Sequence, residues 1–183
     1  MLSRGLNDEI NEILGKELRG KLNEALILIL LIKNYDAAQE SRKGGFKGFR
    51  GRRDRPVVPE GLTTRDIADQ LDLPQSTVAT AVKRISERDW VTHSKGMPVK
   101  TTEQGREVAK EKLRHHRLLE VMLAESLGIT PDEAHNESVK LMLLTSCELI
   151  MSIEERYDNP TVCPCGEPIP ETDLCSVKIA NSS

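Results

Sequence analysis

Aromatic side chains are scarce in this chain: 3% of 183 residues, with one tryptophan, two tyrosines and two phenylalanines. A core must therefore be built mainly from Leu, Ile, Val and Ala. Long apolar runs are missing too. The longest, ALILILLI at 25–32, has eight residues, far short of the roughly 20 that a membrane-crossing helix needs. It reads as a buried helix segment, and no membrane partner is expected. The opening MLSRGLNDEINEIL lacks the uninterrupted apolar core of a signal peptide, so a cytoplasmic setting is expected. There is no internal repeat, no G-x-S-x-G, no phosphate loop and no H-E-x-x-H, and no nucleophile is positioned by its neighbours. An enzyme is not expected. Cysteine is sparse: Cys147, Cys163, Cys165 and Cys175. In a cytosolic chain these point to reduced thiols or ligands rather than to disulfides.

What the sequence does hold is unevenly spread charge. The formal net charge is only −3, yet residues 41–55, SRKGGFKGFRGRRDR, carry seven Arg/Lys against one Asp. A basic block in an otherwise acidic chain suggests a polyanion contact. Residues 41–60 also contain four glycines and two prolines, and both phenylalanines, Phe46 and Phe49. That composition predicts a flexible basic loop without a core of its own. Before it, residues 6–39 read as helix, with a break near Gly15–Gly20 left open; Leu22, Leu26, Ile29 and Leu30 share a face.

After it, a Thr63 or Thr64 cap opens a short helix carrying Ile67, Ala68 and Leu71 inward. That helix must stop at DLPQS, and Pro74 suits the start of a second one. The second helix buries Val78, Ala81, Val82 and Ile85 at i, i+3, i+4 and i+7. Its other face presents Gln75, Ser76, Thr77, Thr80, Lys83 and Arg84. This is a helix-turn-helix, and WVTHSKGMPVKTT reads as a hairpin wing turning at Lys95–Gly96. A groove-sized helix with hydrogen-bonding side chains, flanked by cations such as Lys95 and Lys100, points to double-stranded DNA. Arg50, Arg52 and Arg53, set around a glycine, fit either a narrow minor groove or a solvated linker. Further helices are expected from Glu103 to about Leu127, over 131–141 and over 143–157, followed by a Pro/Cys-rich tail.

This order of elements resembles the DtxR/MntR family of metal-dependent repressors. The resemblance is carried by LTTRDIADQLDLPQSTVATAVKRISERDWV, then KEKLRHHRLLEVMLAESLGI, then AHNES, then NPTVCPCGEPIP, over about residues 20–170. It implies a mainly α chain: a winged helix-turn-helix DNA-binding domain over 1–105, with 41–60 as an inserted loop, then a helical dimerisation and metal-binding domain over 106–183. It also implies a homodimer reading a palindromic operator, with Fe(II) or Mn(II) as corepressor. The family's optional third β-barrel domain is not expected, because the chain ends soon after the PIP motif.

Carried over position by position, one family metal site falls on His116, Glu120 and His135. The i, i+4 spacing of His116 and Glu120 puts both on one helix face. The neighbouring His115 is expected in solvent. The family's other, principal site falls on Val139, Met142 and Leu143, with Glu24 from the first helix. Those side chains suit no hard divalent cation, so this site reads as lost. The four cysteines could instead serve an iron–sulfur cluster, other thiol chemistry or zinc, or be incidental. The function expected is a DNA-binding transcriptional repressor answering to iron or a related metal or redox signal. The alternatives are an iron–sulfur or thiol redox sensor, or a ligand-independent DNA binder.

Overall fold

The structure is a computed structural model that describes residues 15–44 and 58–175. The described residues form six helices, α1 (Lys16–Gly44), α2 (Thr64–Leu71), α3 (Gln75–Ser86), α4 (Glu103–Leu127), α5 (Pro131–Leu141) and α6 (Cys147–Arg156). Two short strands, β1 (Val91–Thr92) and β2 (Lys100–Thr101), lie between α3 and α4. The chain is mainly α, as the patterning predicts. Among the described residues no helix is long and apolar enough to cross a membrane.

Helix α1 has no interruption at Gly20. It continues to Gly44, five residues past the expected end, so residues 41–44 are helical rather than loop. The rest of the basic segment, 45–57, including Phe46, Phe49, Arg50, Arg52 and Arg53, lies outside the described residues.

The helix-turn-helix forms as its caps dictate. Thr63 Oγ1 accepts a hydrogen bond from the Asp66 amide at 3.1 Å, and Asp66 Oδ2 accepts one from the Thr63 amide at 3.0 Å. That capping box satisfies two otherwise orphaned donors. The Asp66 carboxyl is held below its usual pKa by the hydrogen bonds it accepts from the Thr63 hydroxyl, at 2.6 Å, and from the Thr63 amide. Asp72, at φ 51°, ends α2 in the left-handed region. Val78, Ala81, Val82 and Ile85 of α3 are buried, as their spacing predicts. They share a core with Ile27, Leu28, Leu31 and Ile32 of α1.

The wing is minimal. β1 and β2 pair antiparallel with Val91 opposite Thr101, and a bridge between Leu62 and Val99 adds a third edge. Gly105 sits where the wing meets α4. A Cβ there would lie 1.8 Å from the Trp90 carbonyl oxygen, so only glycine permits this approach.

A second core joins Leu22 and Ala25 of α1 to Leu118, Leu119 and Val121 of α4, Val139 of α5, Met142 at the cap of α5, and Ile150 and Ile153 of α6. Helix α6 starts at a Ser146 cap, later than the 143 expected. The tail folds back onto this core. A tight turn, Cys163–Gly166, is closed by Gly166 N–H to Cys163 O at 2.9 Å and Cys163 N–H to Glu167 O at 2.9 Å. Cys163 and Ile169 are buried. Arg117 of α4 donates to the Pro168 carbonyl and pairs with Glu167. Helix α1 thus contributes to both cores, and α4 does so through Ala109 and Leu118.

Candidate metal centre

The centre is built on α4 and α5. His116 and Glu120 lie one turn apart on α4, and His135 faces them from α5. His116 Nε2 is 2.9 Å from Glu120 Oε1 and 3.1 Å from His135 Nδ1, which is itself 2.7 Å from the same carboxylate oxygen. Helix α5 is aimed by its own capping box, Thr130 with Glu133, and by Pro131 in its first turn.

Ser138, fully buried, contacts the Nδ1 edge of the His116 ring. Its hydroxyl donates to the His135 carbonyl at 2.8 Å, and its oxygen lies 2.8 Å from His116 Nδ1. His116 Nε2 faces a carboxylate oxygen of Glu120 and the His135 ring nitrogen. Burial pushes the His116 pKa below its ordinary 6.5, outweighing the hydrogen bond with Glu120 that raises it. For Glu120, burial acts to raise the pKa, yet the hydrogen bonds to His116 and His135 prevail and hold the carboxyl well below the usual range. A neutral imidazole and an ionised carboxylate are the states a divalent metal requires. Donor separations near 3 Å also match right-angle bonds of about 2.1 Å to a six-coordinate ion. These residues fit a metal.

Cys165 Sγ lies 3.6 Å from the second carboxylate oxygen of Glu120, with Cys163 Sγ 2.6 Å beyond. Burial, contact with Cys165 and the hydrogen bond with Glu120 push the Cys163 thiol up to about 12. Beside the centre opens a pocket of about 310 Å³. Val139 and Met142 line it with Ile29 and Leu30. Two of the positions read as a lost principal site, Val139 and Met142, are thus apolar wall, and Glu24 is occupied elsewhere. Its buried carboxylate takes Arg88 at 2.6 Å and Arg84 at 3.7 Å.

The expected DNA-facing residues divide. Gln75, Ser76, Thr80, Lys83 and Lys95 are exposed, and Thr77 is half-buried. Arg84 is exposed but reaches back to Glu24, so it ties α3 to α1 as well as facing outward. The four cysteines do not converge. Cys163 and Cys165 meet Glu120, whereas Cys147 and Cys175 meet His115 and Glu111. His115 is 2% exposed, not solvated as expected: one residue along a helix rotates the side chain by about 100°, here into a second buried face of α4. Glu111 and Ser138 escaped the sequence reading. The E-x₃-H spacing of Glu111 and His115 was the available signal for the first; nothing local marked Ser138.

Residues 102–171 match a family model described as the iron-dependent repressor metal binding and dimerisation domain. The chain is 34% identical over 114 residues to the iron-dependent repressor IdeR of Mycobacterium tuberculosis, covering 61% of this chain and 49% of that protein. Residues 102–171 thus resemble the metal-binding and dimerisation domain of the DtxR/MntR family of metal-dependent repressors. A second relative, the diphtheria toxin repressor of Corynebacterium efficiens, is 33% identical over 105 residues, 57% of this chain and 45% of that one. Among solved structures, the manganese regulator SloR superposes with a TM-score of 0.62 at 24% identity, over 81% of this chain and 59% of its own. A manganese-dependent transcriptional repressor in complex with manganese gives a TM-score of 0.58 at 26% identity, over 76% and 59%. The chain spans about half the length of the curated family members it matches.

Proposed function

We propose that the chain is a metal-responsive DNA-binding regulator that represses transcription as a cytoplasmic homodimer on palindromic duplex sites. The observation that carries this reading is the buried His116–Glu120–His135 donor set, packed into a core that shares α1 with the helix-turn-helix. Such a centre supplies a point where an ion can draw α4 and α5 together. Helix α1, which lies in both cores, and the Glu24 pairing with Arg84 and Arg88 give that change a path to α3. The wing and recognition helix would occupy residues 1–105, and the dimerising, metal-binding part residues 106–183.

Gln75, Ser76, Thr77 and Thr80 would read base edges, with Lys83, Lys95, Arg50, Arg52 and Arg53 on phosphates or the minor groove. Leu127, Leu144 and Leu149 are exposed apolar side chains in the second half of the chain, as a dimer face requires. Fe(II) suits the centre better than Mn(II), because two imidazoles and a nearby thiol are softer than an all-oxygen shell. Selection from a random duplex library by the Fe(II)-loaded protein tests the proposal. Enrichment of an inverted repeat with half-sites about one helical turn apart supports it. Recovery of unordered sequences at every metal condition would reject it.

A further inference from the structure

The second buried face of α4 carries a donor set that DNA binding leaves unused. Glu111 and His115 lie one turn apart on α4. Cys147 is the first residue of α6, and Cys175 comes from the folded-back tail. Their donor atoms lie within 4.8 Å of one another. His115 Nε2 is 3.2 Å from Cys175 Sγ and 3.8 Å from Cys147 Sγ; Glu111 Oε1 is 3.8 Å from Cys147 Sγ and 3.9 Å from His115 Nε2. Bonds of about 2.0–2.1 Å to N and O and about 2.3 Å to S, at tetrahedral angles, place such donors about 3.4–3.8 Å apart. Three elements distant in sequence therefore bring four donors together at separations close to those between the corners of one coordination tetrahedron.

We propose that Glu111, His115, Cys147 and Cys175 form a zinc site separate from the His116–Glu120–His135 centre. Glu111, His115 and Cys175 are each less than 5% exposed. Four protein donors, three of them buried, mark a structural rather than a catalytic ion. Two thiolates with one imidazole favour zinc over harder ions. Two thiolates and a carboxylate around a divalent ion leave one surplus negative charge, which Lys112 Nζ, 3.6 Å from Glu111 Oε1, offsets. The two metal faces arise from one register. The Glu111/His115 and His116/Glu120 pairs are offset by five residues, a rotation of about 140° around α4. The adjacent histidines thus serve different sites. The zinc fastens the start of α6 and Cys175 of the tail to the middle of α4.

The test uses reduced, full-length protein carrying Cys163→Ser, Cys165→Ser, His116→Ala and His135→Ala, which removes the other centre. Titration with Co(II) should give one equivalent per chain with the visible bands of tetrahedral cobalt and a near-ultraviolet thiolate band, both abolished by one equivalent of Zn(II). Adding Cys175→Ser should reduce the thiolate band by about half, since one of two thiolates is gone. Glu111→Gln, which keeps both thiols and the fold, should weaken cobalt binding at least about tenfold, as loss of an ordering partner alone does. In the unmodified protein, alkylation of the partly exposed Cys147 should slow at least about tenfold when zinc replaces chelator, a ligated thiolate being withdrawn from reaction. Absence of tetrahedral cobalt bands in the background variant would overturn the proposal. So would an alkylation rate at Cys147 indifferent to zinc.

Discussion

Ser138 is not itself one of the three donors, yet its hydroxyl holds the Nδ1 edge of the His116 ring. Ser138→Ala is therefore expected to lower metal affinity at the centre by roughly 10–100-fold, measured by calorimetric titration, while His115 and its surroundings are unaffected. Acid should act on the same residues in metal-free protein. The His116 pKa is lowered by burial, so the folded state resists protonation that the unfolded chain accepts. Its stability contribution is fully present above the ordinary value of 6.5 and is lost as pH falls from there through the folded value. Glu120, likewise lowered, adds a second loss below the ordinary carboxylate value of 4.5. Thermal melts in chelator should show Tm falling below about pH 6.5, and His116→Gln should flatten that first step. Much of this was legible: the HRLLE stretch and the AHNES stretch placed His116, Glu120 and His135. What was not legible was rotational neighbourhood. His115 looked solvent-facing because its partners, Cys147 and Cys175, come from elements whose docking no local pattern encodes.

Among the elements, the recognition helix was the most readable, because four buried residues at i, i+3, i+4 and i+7 admit one face only. Substituting Gln75 by Ala should cost about 1–3 kcal/mol at one operator position and relax sequence choice there, while Lys95→Ala should reduce the salt slope of binding by about one. Binding isotherms at several salt concentrations separate the two effects. The wing depends on close approach rather than on strand propensity, since its strands have only two residues each. Gly105→Ala should thus destabilise the protein by about 1–3 kcal/mol or more, as other overpacked sites do, visible as a lower denaturant midpoint. The ends of α1 and α6 were misplaced for a plain reason. The glycines and charges near residue 44 weaken a helix without forbidding it, and the Ser146 cap outcompetes the apolar run before it.

For the whole molecule, the consequential feature is that α1 belongs to both cores. A chain divided into two independent lobes would let each half act alone. Here Leu22 and Ala25 of α1 pack against the helices that carry His116, Glu120 and His135, and the same α1 backs the recognition helix, so a change at the centre is expected to reach it. This coupling was invisible in the sequence, where 6–39 read as one more amphipathic segment. The most direct measurement is the affinity of the full-length protein for its selected duplex, read by fluorescence anisotropy, with Fe(II) and again after chelation. The account predicts at least about a tenfold loss of affinity on chelation, within the usual range of allosteric coupling, and no such loss for His135→Ala, which should bind weakly in both conditions. Equal, tight binding with and without metal, in both proteins, would contradict it.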